Sequence, residues 1–359
     1  LSVPLFASSL EPYRARLDEA LSRVVASGKF ILGPEVAAFE EEFAAYLGVR
    51  HCVGVANGTD ALAIALRSLG VGPGDEVVLP SFTFYATAEA AADVGAVPVF
   101  CDVDPDTACV TAETVRAVIT PKTKAIVPVH LFGNVAPVPE LRALGLPVLE
   151  DAAQAAGATL GGQRAGSLGD VATFSFFPSK NLPCLGDGGA IVTDSDELAE
   201  QARKLRFHGS RDKVTFEEVG YNSRLDELQA AALRVLLPEL DGWTAARQAT
   251  AAEYERRGLG EHLTRPRPVE GAGHAYHLYV ARHAHADELA DRLGQRGVVA
   301  RGYYRTPVHL QPAMARFGAD ADLPATEKLA ATNLALPMGT GLDPEAVGEV
   351  VDACASGST

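Results

Sequence analysis

Cysteine is scarce: Cys52, Cys101, Cys109, Cys184 and Cys354 are the only five in 359 residues, and none forms a CxxC pair or a Cys/His cluster with zinc-like spacing. An odd, scattered set of thiols argues against a disulfide framework and against a structural zinc site. Reduced thiols are therefore expected, with no metal and a cytoplasmic location. Positive charge is also short, with 31 Lys and Arg against 46 Asp and Glu and a formal net charge of −15. A surface of that sign has no general grip on nucleic acid or on anionic membranes, so an anionic ligand needs a locally built site. No apolar stretch approaches the ~20 residues of a membrane span, and no basic start followed by an apolar run marks a targeting segment. A soluble, unprocessed chain is expected. There is no GxGxxG after an early strand, which removes the main signal of a dinucleotide-binding dehydrogenase. Internal repeats and low-complexity segments are missing as well.

What the chain does have is alternation. CVGVA (52–56), EVVLP (76–80), VPVFCD (97–102), KAIVPV (124–129) and PVLED (147–151) are short, Val-rich apolar runs that end in turn or polar residues. Such runs suit strands buried on both faces. Between them lie helix-like segments, TDALAIALRSLG (59–70), AEAAADVG (88–95) and TAETVRAVI (111–119), the last opening with a Ser/Thr-x-x-Glu-like relation in its first turn. This pattern predicts an α/β fold, a three-layer α/β/α large domain with a mainly parallel sheet. A long helical region follows from SRLDELQAAALRVLLPELDGW (223–243), after which the composition shifts toward Pro, Gly and a strand-like HLYVAR. At roughly 100–200 residues per domain, the expected division is a large domain over 1–245 and a smaller C-terminal α/β domain over 246–359.

The chemistry centres on FSFFPSKNLPCLGDGGA (174–190), where Lys180 falls on a tight loop between two apolar segments. A loop lysine can simply be solvated. With a depressed pKa it can instead attack carbonyl compounds, and a Schiff base with pyridoxal phosphate is a common use of that property. In VLEDAAQAAGA, Asp151 ends a buried apolar run and Gln154 follows three residues later, so a helical turn would put them on one side. Asp151 reads equally as a helix N-cap or as the partner of a pyridinium nitrogen. In VANGTDALAIAL a Gly-Thr pair, Gly58 and Thr59, stands where a strand meets a helix, a place that favours an anion. Ser175 could add a hydroxyl to the same anion. Phe84, in PSFTFYAT, follows a strand end and could stack on a flat ring or pack in the core.

Four runs, SFTFYATAEA, EDAAQAAGA, TFSFFPSKNLPCLGDGGA and VGYNSRLDELQAAAL, together resemble the signature set of the DegT/DnrJ-type sugar aminotransferases, a branch of the fold-type I pyridoxal-phosphate enzymes. The likeness extends over essentially the whole chain, with the motifs in the family's order. It implies that Lys180 forms the Schiff base with pyridoxal 5'-phosphate and moves protons during transfer. It further implies that Asp151 meets the pyridine nitrogen, Gln154 the ring hydroxyl and Phe84 the ring face, with Gly58, Thr59 and Ser175 on the phosphate. Asn222, in GYNSRLDE, resembles the asparagine that reaches this phosphate from the neighbouring subunit, which implies a homodimer with shared sites. The implied substrates are L-glutamate and a keto sugar carried on a nucleotide, dTDP or UDP, with Tyr304 and His309 as candidate substrate contacts.

Two departures from the family pattern touch the substrate side. Pro183 and Cys184 stand where a Gly-Ala pair is usual, and Arg305 replaces a common proline in RGYYRTPVHLQPA. Transfer of substrate identity is correspondingly weaker, and a cyclitol ketone is an alternative acceptor. A dehydratase relative would typically carry histidine in place of Lys180. A non-catalytic regulatory protein on the same fold would need none of Lys180, Asp151, Gln154 and Ser175.

Overall fold

The computed structural model describes residues 2–319 and 321–355. The Val-rich runs form β1 His51–Val55, β2 Glu76–Pro80, β3 Val97–Cys101, β4 Thr123–Ile126 and β5 Leu149–Asp151, joined by β6 Val171–Ser175 and β7 Gly189–Thr193. β2 pairs in parallel with β3 and β4, and β5 with β6, while β7 lies antiparallel between β6 and β1. Parallel bridges Ile126↔Val148 and Val129↔Asp151 join the two halves. The strand order is therefore β3-β2-β4-β5-β6-β7-β1, with only β7 reversed.

Successive side chains of a strand go to opposite faces, and here they enter two different cores. Val53, Val55, Val77, Leu79, Val171 and Ile191 pack with the helix Gly58–Ser68. Cys52, Val78, Ala172, Ala190 and Val192 pack instead with Phe39 and Phe43 of the helix Pro34–Leu47. The sheet is thus covered on both faces, giving the expected α/β/α layers. Among the described residues no helix is long and apolar enough to cross a membrane.

The helical reading needs three corrections. The stretch 223–243 is not one helix: residues 223–226 precede the helix Glu227–Leu236, a 3-10 turn follows over Leu237–Glu239, and a second helix runs Leu240–Arg256. Pro238 lacks the N–H that a continuous helix requires there. The cap at Thr111 is reciprocated by Thr114 rather than by a glutamate. No helix begins at Asp151, because Ala152 N donates to Thr173 O at 2.9 Å, continuing the sheet pairing, and turns follow.

A third core gathers Tyr254, Tyr279, Leu289, Leu334, Leu336 and Val350. It is built on the antiparallel pair β8 Tyr279–Arg282 and β9 Asn333–Leu336 with the helices Ala286–Gln295 and Pro344–Ala355. Val3 belongs to the same core, and bridges Val3↔Val298 and Phe6↔Met338 fasten the N-terminal arm to it. Residue 245 lies inside the helix Leu240–Arg256, whose Leu240 enters the large core and whose Ala251 and Tyr254 enter this smaller one.

Candidate active site

Lys180 sits in the connection between β6 and β7. Three backbone hydrogen bonds fold that connection: Phe176 N to Gly188 O at 2.8 Å, Cys184 N to Phe176 O at 2.7 Å and Lys180 N to Phe177 O at 2.8 Å. The lysine lines a cavity of about 470 Å³ together with Gly58, Thr59, Phe84, Asp151, Gln154, Ser175 and Tyr304. Seven positions chosen from five separate stretches of sequence thus converge with the lysine on one space. It opens at the carboxyl ends of β5 and β6, where ligands of open α/β sheets are received.

Asp151 is the last residue of β5 and is 5% exposed. Burial raises the pKa of its carboxyl, opposed by a hydrogen bond from Thr87 Oγ1 at 2.8 Å, by the Ala153 N–H at 3.2 Å and by the charges of Lys180 and His130. Lys180 responds in the opposite sense. Burial of its amine lowers the pKa to about 8, against the pull of the Asp151 carboxylate. At pH 7 about a tenth of such an amine is neutral, far more than of an ordinary lysine, and available as a nucleophile and proton acceptor.

Gly58 and Thr59 begin the helix Gly58–Ser68, whose N-cap Asn57 accepts from Asp60 N at 2.8 Å. A Cβ on Gly58 would stand 2.8 Å from Ser175 Cβ, so the helix start approaches the end of β6 as only glycine allows. Helix N–H groups and the Ser175 hydroxyl therefore share one corner, an arrangement suited to phosphate. Phe84 is 54% exposed, which rules out simple core packing for its ring, and it lies 5.9 Å from the tilted ring of Tyr304. Gln154 Oε1 accepts from Phe132 N at 2.8 Å and its Nε2 donates to Tyr304 OH at 3.1 Å. Its amide is fixed in orientation, with one N–H left over. A carboxylate facing an amine, an anion corner and an exposed aromatic face fit a flat, phosphorylated, pyridine-type aldehyde, and that is the chemistry of pyridoxal 5'-phosphate.

Two candidate residues lie elsewhere. Asn222 is exposed, bridges Phe207 and accepts from Arg224 Nη2. His309 is 3% exposed and is held by Ser81, whose Oγ lies 2.7 Å from Nδ1 and accepts from His309 N at 2.9 Å. Neither lines the cavity within this chain. Pro183, Cys184 and Arg305 do not line it either. Arg305 instead donates to the carbonyls of Ala330 and Asn333 at 3.0 and 2.6 Å and pairs with Asp287 at 2.6 Å. Thr87 escaped the sequence reading although it stands in SFTFYATAEA, because nothing in a helix-like run marks one threonine as a carboxylate donor.

A seven-stranded α/β/α sheet that sets a loop lysine against a strand-end carboxylate, with a helix N-terminus beside them, defines a lysine-dependent cofactor enzyme of the aminotransferase kind. The chain is a member of the DegT/DnrJ/EryC1/StrS aminotransferase family, whose sequence model matches residues 13–355. It is 45% identical to a dTDP-3-amino-3,4,6-trideoxy-alpha-D-glucose transaminase of Streptomyces venezuelae, over 96% of this chain and 93% of that protein. It is equally 45% identical to a Geobacillus stearothermophilus protein named a pleiotropic regulatory protein, over 98% and 97%. The crystal structure of S. venezuelae DesV in complex with a ketimine intermediate matches with a TM-score of 0.95 and 45% identity, covering 98% of this chain and 97% of that one.

Proposed function

We propose that this aminotransferase uses pyridoxal 5'-phosphate to move an amino group from L-glutamate to the keto group of a nucleotide-linked deoxy sugar, with dTDP or UDP as carrier, in amino-sugar biosynthesis. The observation that carries the reading is the meeting of Lys180 and Asp151 in one cavity beside the Gly58–Ser175 corner. When bound, the cofactor supplies a carbonyl that carries the amino group and a ring that accepts electrons. Lys180 anchors it and afterwards takes up and returns a proton at its Nζ, a role its lowered pKa of about 8 suits. Asp151, whose carboxylate accepts from Thr87 and the Ala153 N–H, would hold a positive ring nitrogen. Gln154 faces the ring hydroxyl with its remaining N–H, and Phe84 covers the ring. Gly58, Thr59 and Ser175 hold the phosphate, and Tyr304 orients Gln154 and borders the substrate.

A homodimer completes the site in this reading. Asn222 is exposed next to a segment whose Val214, Phe216 and Val219 are 80%, 60% and 83% exposed. Contiguous exposed apolar side chains mark an interaction surface, and a two-fold contact there would bring Asn222 to the partner's phosphate corner. The cytoplasm is the compartment we propose, supported by five buried and unpaired thiols. Division of the chain near residue 245 stands as a proposal too, with the helix Leu240–Arg256 shared between the two units.

The name of the Streptomyces relative favours a nucleotide sugar over a cyclitol. The regulatory name of the Geobacillus relative is the observation on the side of a non-catalytic role, and the assembled Lys180, Asp151, Gln154 and Ser175 weigh against it. The test supplies the holoenzyme with ¹⁵N-labelled L-glutamate and a dTDP-linked keto deoxy sugar. Label in the sugar nucleotide supports the reading, and its absence with every carrier and ketone position tried, UDP sugars included, overturns it.

A further inference from the structure

Residues 274–278 read HAYHL, and none of them has a part in the chemistry described so far. Five of their backbone polar groups are tied down by the following hydrogen bonds. Ala275 N donates to Gly133 O at 2.8 Å, and Ala275 O accepts from Asn181 Nδ2 at 3.0 Å. Tyr276 N donates to His274 Nδ1 at 2.8 Å, Tyr276 O accepts from Arg247 Nη1 at 3.0 Å, and Leu278 N donates to Phe132 O at 3.3 Å. Asn181 directly follows Lys180, so one of these ties runs to the lysine's own neighbour.

The geometry is unusual as well as rigid. Tyr276 has φ +43°, in the left-handed region that a bulky residue rarely enters, while its ring stacks on His274 at 4.0 Å. A Cβ on Gly133 would approach Tyr276 N to 2.8 Å and His277 N to 2.9 Å, so the segment can be gripped this closely only across a glycine. Conformations of this kind persist where the surroundings over-determine them, and they cluster at ligand sites. Their result here is the placement of one side chain, His277, in the wall of the cavity that holds Lys180.

His277 is 4% exposed, and its Nδ1 has no hydrogen-bond partner. Phe6 of the N-terminal arm also lines the cavity, its ring 6.1 Å from the imidazole. A buried nitrogen left unpaired is destabilising and calls for a partner. Burial pushes the imidazole pKa well below its ordinary value, and the charges of Lys180 and Arg247 push the same way. The ring is therefore neutral at physiological pH, with one donor and one acceptor nitrogen. Whichever nitrogen meets it, a hydroxyl can answer, because it both donates and accepts; a carboxylate would call for a cation.

We propose that His277 is a specificity-determining residue whose imidazole hydrogen-bonds a hydroxyl on the sugar of the acceptor substrate. The inference rests on the sugar-aminotransferase reading above and adds the residue that recognises the sugar. The two half-reactions separate it from that reading. Holoenzyme is mixed with L-glutamate alone, and the aminated form is then mixed with a dTDP-linked keto deoxy sugar, each followed by the cofactor spectrum. Failure of the wild-type protein with every sugar nucleotide tried overturns the functional reading and this inference with it. If the wild type reacts, His277→Phe should raise the sugar KM ~10-fold or more while the glutamate half-reaction stays within about twofold. His277→Gln, which keeps a donor and an acceptor, should recover part of the loss. A sugar KM within about twofold of wild type in both variants overturns the inference. So does a parallel fall of both half-reactions, which would mark a structural role or a contact with the amino donor. Should His277→Phe fail to fold, His277→Gln and His277→Asn carry the same comparison, because the ratio of the two half-reactions decides it.

Discussion

Thr87 Oγ1 donates a 2.8 Å hydrogen bond to Asp151 Oδ2, joining the helix Ala86–Asp93 to the carboxyl end of β5. The bond counters the burial that raises the Asp151 pKa. Replacing Thr87 with valine keeps the shape and removes the donor, so the Asp151 pKa should rise and the acid limb of the rate profile should move to higher pH. Turnover at neutral pH should fall by ~10-fold, about 1.4 kcal/mol of barrier, with Thr87→Ser close to wild type. A pH–rate series on the three proteins checks this, and a Thr87→Val profile superimposable on wild type would contradict it.

Asp151→Asn should cost far more in rate than in cofactor occupancy. The amide is nearly isosteric and keeps an acceptor for Thr87, but it cannot hold a ring nitrogen protonated. A loss of ~10²-fold or more in kcat with a retained cofactor absorbance is expected. Normal turnover in the asparagine variant would remove Asp151 from the cofactor.

Lys180 provides a pH test in the apoprotein. Its amine is held to about 8 by burial, and the Asp151 carboxylate opposes that shift. Capture of an aldehyde requires the neutral amine, so its rate should rise with pH through a midpoint near 8 rather than near the ordinary lysine value. Removing the carboxylate withdraws the negative charge that raises the pKa, so Asp151→Asn should move the midpoint lower. Stopped-flow mixing of apoprotein with pyridoxal phosphate across pH measures both, and a midpoint above 10 would show an exposed, ordinary lysine.

The shared site has a genetic-style test. A Lys180→Ala chain mixed with an Asn222→Trp chain should regain activity on subunit exchange, because one site of the heterodimer collects both lesions and the other none. Recovery toward about half a wild-type dimer per heterodimer is expected for independent sites. Exchange without recovery, or an Asn222→Trp protein that is fully active alone, would contradict a composite site.

Much of this architecture is legible in the chain because buried parallel strands announce themselves as short Val-rich runs: β1, β2 and β3 fall within a residue of where those runs lie. The reversal of β7 is not legible, since an apolar run carries no sign of direction. Asp151 and Gln154 converge on one cavity as expected, but through a strand end and turns rather than a helical turn, because sheet pairing at Ala152 overrides the local pattern. The breaks around 226 and 238 depend on backbone partners and on Pro238, and apolar periodicity runs through both. His277 is the least legible of these residues: its placement depends on ties from Gly133, Asn181 and Arg247, residues far from it in sequence. The one local signal was a pair of histidines, His274 and His277, closely flanking a tyrosine.

Borohydride reduction of the holoenzyme, followed by proteolysis and mass spectrometry, tests the central claim most directly. The reduced pyridoxyl group should be found on the peptide containing Lys180, and the Lys180→Ala protein should carry none while still binding cofactor non-covalently. A pyridoxyl group on any other lysine, or none on a protein that is active with L-glutamate and a sugar nucleotide, would contradict the assignment of Lys180 and of the cavity built around it.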